Sequence, residues 1–496
     1  MQDHQPLAAL DLGSNSFHLI VAEVVNGRLQ VIDRLREMVR LAAGLDERNA
    51  LTEPAMMRAL ETLKRFGQRL RALAGGNVRV VGTNTLRKAL NRQVFMARAQ
   101  QVLGHPVEVI AGREEARLIY LGVAHSLEDQ GTRRLVVDIG GGSTEDILGR
   151  AFQAEHMDSL HIGCVELSRR FFKDGEVTER YMRNAEIAAL QELESIAGVY
   201  RRLGWDAAIG SSGTVTTVQE VLTLQGWGQQ HIPGAGLRRL RKHLIGAGHC
   251  ERFALQGLNA DRAPIFAGGV AVLIAVFEAL GVEQMAAASG ALREGLLYDL
   301  LGRIHHEDVR ERTVQDLANR YRVDARQARR VADTALELLR TIPPPWGLSV
   351  AAHDDTLRWA AELHEIGLEV SHSQYQKHGA YLARNHDLPG FSQEEQALLA
   401  LLIRAHRRKL PLAELEALPA AEKDKVIYLS VVLRLAVLLH RGRGDIALPD
   451  LEVEGEDHAL KLRFPEGWLA EHPLTAADLE QEAGYWKAAG MRLRSK

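Results

Sequence analysis

Hydrophobic and polar positions divide the chain into two repeating α/β stretches and a helical remainder. LAALDLGSNSFHLIVAEVVNGRLQVIDR (7–34) opens with an apolar strand and a Gly/Ser/Asn turn. Alternating apolar residues then run to Asn26-Gly27, a favoured hairpin dipeptide, and a further strand follows. VVDIGGGSTEDILG (136–149) repeats the scheme, and EDILGRAFQAEHMDS continues it less clearly. Apolar residues at three- and four-residue spacing predict helices over 54–73 and 180–203, one behind each repeat. VRVVGT, VEVIAG and WDAAIG read as further strands, and GGVAVLIAVF (268–277), stopped by Glu278, as a core helix too short to span a bilayer. From about residue 306 the chain reads as arginine-rich helix, with strand signals returning at LEVEGEDHALKLRF (451–464).

The predicted fold is therefore α/β. Two duplicated domains (1–128 and 129–305) flank a cleft, followed by an all-α domain (306–445) and a small terminal α+β piece (446–496).

Glycine runs at strand ends place chemistry in the cleft. Gly140, Gly141 and Gly142 carry no Cβ, so their N–H groups can converge on a phosphate, and Ser143 and Thr144 add hydroxyls. Asp138 and Glu145 suit a hard cation such as Mg²⁺ riding on phosphate oxygens. Gly13, Ser14, Asn15 and Ser16 form the matching cradle, where Asp11 either joins the metal set or caps its own turn. Arg87, after VRVVGT, is positioned as a cationic clamp. Glu114 and Glu115 open a predicted helix, and adjacent helical residues diverge, so at most one points into the cleft. IGSSGTV (209–215) is a third small-residue turn after an apolar strand, with Ser212, Gly213 and Thr214 as candidate phosphate-binding residues.

Composition constrains partners. Net charge is −3, with 46% hydrophobic and 25% charged residues, as in ordinary globular proteins. Aromatic content of 5% leaves few stacking platforms, so nucleic acid is not an expected partner. Cys164 and Cys250 form neither a metal spacing nor a disulfide framework, which fits a reducing compartment. MQDHQPLAALDLG lacks the pattern of a signal peptide, and a cytoplasmic location without an integral membrane segment is expected. Basic clusters offer a polyanion track: Arg404, Arg407, Arg408 and Lys409; Arg434, Arg441 and Arg443; Arg238, Arg239, Arg241 and Lys242.

DLGSNSFHL, VGTNTLRKAL, GREEARLIYLGV, VVDIGGGSTE, HIGCVELSRRFF, GSSGTV and SGALREGLLYDLL occur in this order. The combination resembles the exopolyphosphatase/guanosine pentaphosphate phosphatase family of the actin-like ATPase superfamily. The resemblance implies Glu115 as general base, Arg87 as clamp, Asp138 and Glu145 as metal-linked acids, Mg²⁺ with K⁺ as activator, and a homodimer built through the C-terminal half. It implies release of orthophosphate from inorganic polyphosphate, or conversion of guanosine pentaphosphate to the tetraphosphate. The three glycines at 140–142 favour polyphosphate. A polyphosphate:ADP phosphotransferase and a non-catalytic sensor are the rival readings.

Two departures stand out. Asp146 replaces an apolar residue, and strand alternation turns it away from Glu145, where it needs solvent or a partner. LRWAAELHEIGLEV (357–370) resembles an HD-type metal phosphohydrolase helix, but His364-Glu365 replaces His-Asp and Val437 stands where a further aspartate would be. His378, His386 and His406 remain, so this part reads as a degenerate HD-like domain that builds binding surface.

Overall fold

The computed structural model describes residues 6–25, 28–127, 131–304, 307–341, 346–444, 448–456 and 458–496. The expected Asn26-Gly27 turn lies outside them. The chain divides into two compact units, Met1–Asp308 and Val309–Lys496.

The first unit contains two similar sheets. One is built from β1 (Leu7–Leu12), β2 (Phe17–Val25), β3 (Arg28–Glu37), β4 (Val78–Gly82) and β5 (Glu108–Val109). Its helices are α1 (Glu53–Leu70), α2 (Asn84–Lys88), α3 (Arg92–Leu103) and α4 (Gly112–His125). The second comprises β6 (Arg133–Ile139), β7 (Thr144–Arg150), β8 (Gln153–Leu160), β9 (Ala207–Ser211), β10 (His231–Pro233) and β11 (Gln284–Ala287). Around it lie α5 (Cys164–Phe171), α6 (Glu179–Leu203), α7 (Ser212–Leu224), α8 (Gly234–Ala247), α9 (Ala263–Leu280) and α10 (Leu292–Ile304).

Strand order is 3-2-1-4-5 in the first sheet and 10-11-9-6-7-8 in the second. In both, an antiparallel three-strand meander is followed by parallel strands, so β1–β5 correspond to β6, β7, β8, β9 and β11. The sequence repeat is thus a structural duplication.

Strand alternation builds three apolar layers. Ala8, Leu10 and Leu12 face an outer core with α1 and α3, whereas Leu7 and Ala9 face a central layer. Leu135, Val137 and Ile139 likewise face outward, and Val136 and Ile147 face the centre. Helices α4 and α10 fill that central layer, through Leu118, Ile119, Leu292 and Leu296 among others. Their backbones touch: a Cβ on Gly122 would lie 2.1 Å from the Ala291 carbonyl oxygen, and one on Gly295 only 1.8 Å from that of Leu118.

A buried ion network secures the same junction. Glu114 binds Arg117 through two 2.8 Å hydrogen bonds. Arg117 reaches Asp299 at 2.5 Å, and Asp299 also pairs with Arg79 and Arg303. These cations hold the Asp299 carboxyl far below the usual carboxylate range despite its burial. Helix α9 is, among the described residues, the one helix long and apolar enough to cross a membrane, and 72% of it is buried inside the fold.

In the second unit, α11 (Val309–Arg320), α12 (Ala325–Thr341), α13 (Val350–Leu363), α14 (Tyr375–Asn385), α15 (Gln393–Ala405), α16 (Leu412–Glu416) and α17 (Ala420–Leu439) form a helical core. A three-stranded sheet of β12 (Glu452–Glu456), β13 (Ala459–Arg463) and β14 (Arg492–Ser495) follows, with α18 (Trp468–Glu471) and α19 (Pro473–Lys487) between its last two strands. The sequence pattern does not reveal β14; its alternation is only four residues long.

Gly122→Ala is expected to lower stability by about 1–3 kcal/mol, because the new methyl group would overlap backbone that cannot rotate away. A fall in thermal midpoint with a correct far-ultraviolet spectrum checks this.

Candidate active site

Period-two alternation brings the cleft acids together. Asp11 continues the central face of Leu7 and Ala9, and Asp138 that of Val136. Glu145 lies opposite Asp138 in the β6–β7 register and shares the face of Ile147. Glu115, in the first turn of α4, enters the same space.

The two consecutive glutamates therefore separate as expected: Glu114 joins the ion network, and Glu115 faces Asp11, Asp138 and Glu145. Arg87 donates to Glu115 Oε2 at 2.6 Å and to the Ile110 carbonyl at 3.0 Å. The expected clamp and the expected base are thus an ion pair.

Crowding of like charge marks the site. Burial pushes the Asp11 carboxyl up to about 8, with Glu115 and Asp138 adding to it and Arg293 opposing. Burial raises Asp138 to about 6, moderated by the hydrogen bond from Ser211 Oγ. Glu145 lies well above the carboxylate range for the same reasons, burial first, although Ser159 Oγ donates to it at 2.8 Å. Asp11 Oδ1 is buried without a partner.

Asp11, Asp138 and Glu145 are the residues that could hold a divalent cation here. Among the described residues no three His, Cys, Asp or Glu side chains come close enough to enclose a metal ion. Mg²⁺ needs no such cage, since one or two carboxylates with water and substrate phosphates suffice.

The two glycine cradles abut. Carbonyls of the first are tied behind by the amides of Arg40 and Ala42, and those of the second by the start of α5, where Cys164 and Val165 donate to Gly140 and Gly141 at 2.9 Å. The amides of Gly141 and Gly142 have no acceptor among the described residues. Gly141 faces Ser14 and Asn15, and Gly142 faces Asn84. Gly163 touches the Gly141–Gly142 peptide, so a Cβ there would fall 2.5 Å from its atoms.

Some hydroxyls are turned inward. Thr144 Oγ1 donates to the Ile162 carbonyl and Ser16 Oγ pairs with His18 Nε2. Ser14 Oγ accepts from Thr85, and Ser143 is buried beside Gly140. Gly13 closes its turn against the Ser16 carbonyl, where a Cβ would lie 2.8 Å away.

The third turn is not an open cradle. Ser212 and Thr214 hydroxyls both bond the Ile139 carbonyl, which binds this turn to β6. Ser212 has φ +78°, a conformation costing about 1–3 kcal/mol for a residue with a Cβ. Gly213 makes room for Arg262, whose Nη2 would lie 1.6 Å from a Cβ there.

Three arginines and an amide escaped the sequence reading. Arg36, Arg262 and Arg293 surround His18 and, after burial itself, push its imidazole down to about 3. Arg36 and Arg262 form no ion pair among the described residues, and Arg293 Nη1 lies 3.0 Å from His18 Nδ1. This neutral histidine therefore sits in an excess of positive charge beside the acids. Asn84 Nδ2 is buried without an acceptor. Asn84 lay in plain view in VGTNTL; the arginines belong to a strand end, a loop and a helix start, with no shared motif.

Cys164 is buried and burial raises its thiol, which accords with a packing role.

Several surface expectations need correction. Asp146 does turn away from the site, onto the face packed against α6, but it finds neither solvent nor a side-chain partner. Burial, with Asp158 opposite, pushes its carboxyl up to about 8. Tyr200 donates instead to the Asp146 carbonyl, at 2.5 Å. Arg241 is neutralised by Glu179 and Glu186. Arg434 is buried on Glu482 and on the carbonyls of Ala405 and Arg408, because a guanidinium inside a helical core needs every donor satisfied. Arg441 and Arg443 pair with Asp478 and Glu365. Arg407 and Arg408 line a cavity, which Arg404 and Lys409 do not reach. In that second unit His364 and His406 come together, while His386 pairs with Arg320.

A protonated Asp146 is favoured in the folded state and an ionised one in the unfolded chain, so its contribution weakens stability as pH rises from about 4 to 8. Asp146→Asn is expected to stabilise the protein at pH 8 by about 1–3 kcal/mol and much less at pH 5. Urea melts at the two pH values check the difference.

Comparison with known proteins places these features in one family. Residues 20–304 match the model of the Ppx/GppA phosphatase family, and residues 309–483 that of Ppx/GppA phosphatase, domain III. A guanosine-5'-triphosphate,3'-diphosphate pyrophosphatase of Aeromonas hydrophila is 42% identical over 475 residues, covering 96% of this chain and 95% of that one. Its Vibrio cholerae namesake is 43% identical over 477 residues, with the same coverage. An exopolyphosphatase from Cytophaga hutchinsonii superposes with TM-score 0.55 at 29% identity, covering 60% of this chain and 98% of its own. The Aquifex aeolicus Ppx/GppA family member gives 0.51 at 25%, covering 61% and 98%.

Proposed function

Because the chain belongs to the Ppx/GppA phosphatase family, a family of hydrolases with an actin-like fold, we propose that it removes the terminal 5'-phosphate of guanosine pentaphosphate. The observation that carries this reading is near-complete alignment, at 42–43% identity, with relatives named for that substrate. The triple glycine, which favours polyphosphate on sequence alone, has another cause. Gly141 packs closely on Ser14 and Gly142 on Asn84, and such packing says nothing of what the phosphate is attached to.

In the proposed reaction Glu115 takes a proton from water as the water oxygen bonds to the terminal phosphorus. The bond from that phosphorus to the bridging oxygen breaks, and its electron pair leaves on the new terminal phosphate of the product. The free amides of Gly141 and Gly142 support phosphate oxygens. Arg87 orients Glu115 and remains within reach of developing charge on the leaving oxygens. One or two of Asp11, Asp138 and Glu145 would hold Mg²⁺, which would neutralise phosphate charge when bound. Arg36 and Arg262 offer unspent positive charge for the further phosphates of a nucleotide that carries them at both ends.

Glu115→Gln is expected to lower kcat by about 10²–10⁴-fold with little change in KM. Arg262→Ala is expected to raise KM for the pentaphosphate about tenfold, with a smaller effect on kcat. Orthophosphate release from guanosine pentaphosphate and from long-chain polyphosphate, measured side by side, tests the assignment. Preference for the polymer would overturn it.

Mg²⁺ binding at pH 7 is expected to release protons, because Asp11 is raised to about 8 and Glu145 lies well above its ordinary value. Affinity should rise between pH 6 and 8. Calorimetry in buffers of different ionisation enthalpy measures the released protons.

A further inference from the structure

The second unit contains a cavity of about 320 Å³. Its wall carries His364 and His406, two tyrosines and several arginines. Both imidazoles are buried with rings 5.2 Å apart. Each Nδ1 lies 2.6 Å from a carbonyl oxygen, of Ala361 and Ile403 respectively, so Nδ1 carries the proton. Burial holds both rings below the ordinary histidine range, and they are neutral. Each Nε2 is therefore a lone-pair acceptor. That of His406 is buried without a partner, and that of His364 finds only the Glu365 carboxylate at 3.9 Å, beyond hydrogen-bond reach.

The cations are of two kinds. Arg434, Arg441 and Arg443 are paired with Glu482, Asp478 and Glu365. Arg407 and Arg408 have no carboxylate partner among the described residues. Arg407 lies over Tyr375 at 4.5 Å and Arg434 over Tyr485 at 5.6 Å, so guanidinium groups already cover these aromatic faces. What remains is uncompensated guanidinium charge beside imidazole acceptors that lack a donor.

We propose that this cavity is a second anion site, selective for orthophosphate. At neutral pH the ion offers charged oxygens to Arg407 and Arg408 and a P–OH donor to His406 Nε2. Sulfate has the same shape and no donor. A phosphomonoester has a second pKa near 6 and has lost its P–OH at pH 8. The imidazoles thus supply the selectivity and the arginines the attraction. The site is independent of the reaction proposed for the first unit.

Hydrogen–deuterium exchange of the full-length protein at pH 8 reads the second unit locally, whatever binds elsewhere. Orthophosphate is expected to slow exchange in segments 364–375 and 403–409. Half-maximal protection should come at about one-tenth of the sulfate concentration needed, given the cost of an unsatisfied buried acceptor. Glycerol 3-phosphate should behave as sulfate does. Arg407→Met should abolish protection. His406→Leu should remove the preference for orthophosphate, and His406→Gln, which retains an acceptor, should keep it. Equal protection by orthophosphate and sulfate, protection that survives Arg407→Met, or no protection by orthophosphate in the wild-type protein would each overturn the proposal.

Discussion

Four carboxylates held in one space between two sheets are the constraint around which the first unit is organised. Asp11, Asp138 and Glu145 project from equivalent strand faces, and Glu115 enters from the helix wedged between them. Isolated charges of one sign, taken from water, repel one another and lose hydration. The fold tolerates them by leaving Asp11 and Glu145 with strongly raised affinity for protons and by setting Arg87 against Glu115. Arg36 and Arg262, which have no ion pair among the described residues, lie around His18, and Arg293 stands between that histidine and the acids, lowering Asp11 and Asp138. The cleft is thus divided into an acidic floor suited to a cation and a basic side suited to phosphate.

Much of this was legible in the sequence because it rests on local rules. Two Asp-Leu/Ile-Gly turns after apolar strands gave the duplication, and period-two alternation separated Glu145 from Asp146. Helical geometry separated Glu114 from Glu115. What stayed hidden depends on tertiary placement. Arg262 is recognisable only when Gly213 is seen to make room for its guanidinium. Asp146 reads as solvent-seeking until α6 is laid over it. The run Arg404 to Lys409 reads as one basic face, although only its two middle arginines turn toward the cavity.

Glycine-rich loops carry two messages that sequence alone does not separate. Removing a Cβ opens backbone amides to an anion, and it also lets two loops approach. In this protein Gly141 does both, since its amide lacks an internal acceptor while its α-carbon rests against Ser14. The glycines of this loop therefore answer to local packing on Ser143, Ser14 and Asn84 as well as to any anion.

The direct backbone contact of α4 with α10 bears on how the protein is made. Helix α4, with Glu115 in its first turn, is complete by His125, yet its seat is formed by residues 291–299, near the end of the unit. Both glycine cradles have left the ribosome well before that partner is synthesised, so the nascent chain passes through an interval in which it holds both glycine turns but lacks the helix that seats α4 and, with it, Glu115, the proposed base. The last helix of the unit acts as the keystone, and a chain ending before it would be expected to bind phosphate better than it cleaves it.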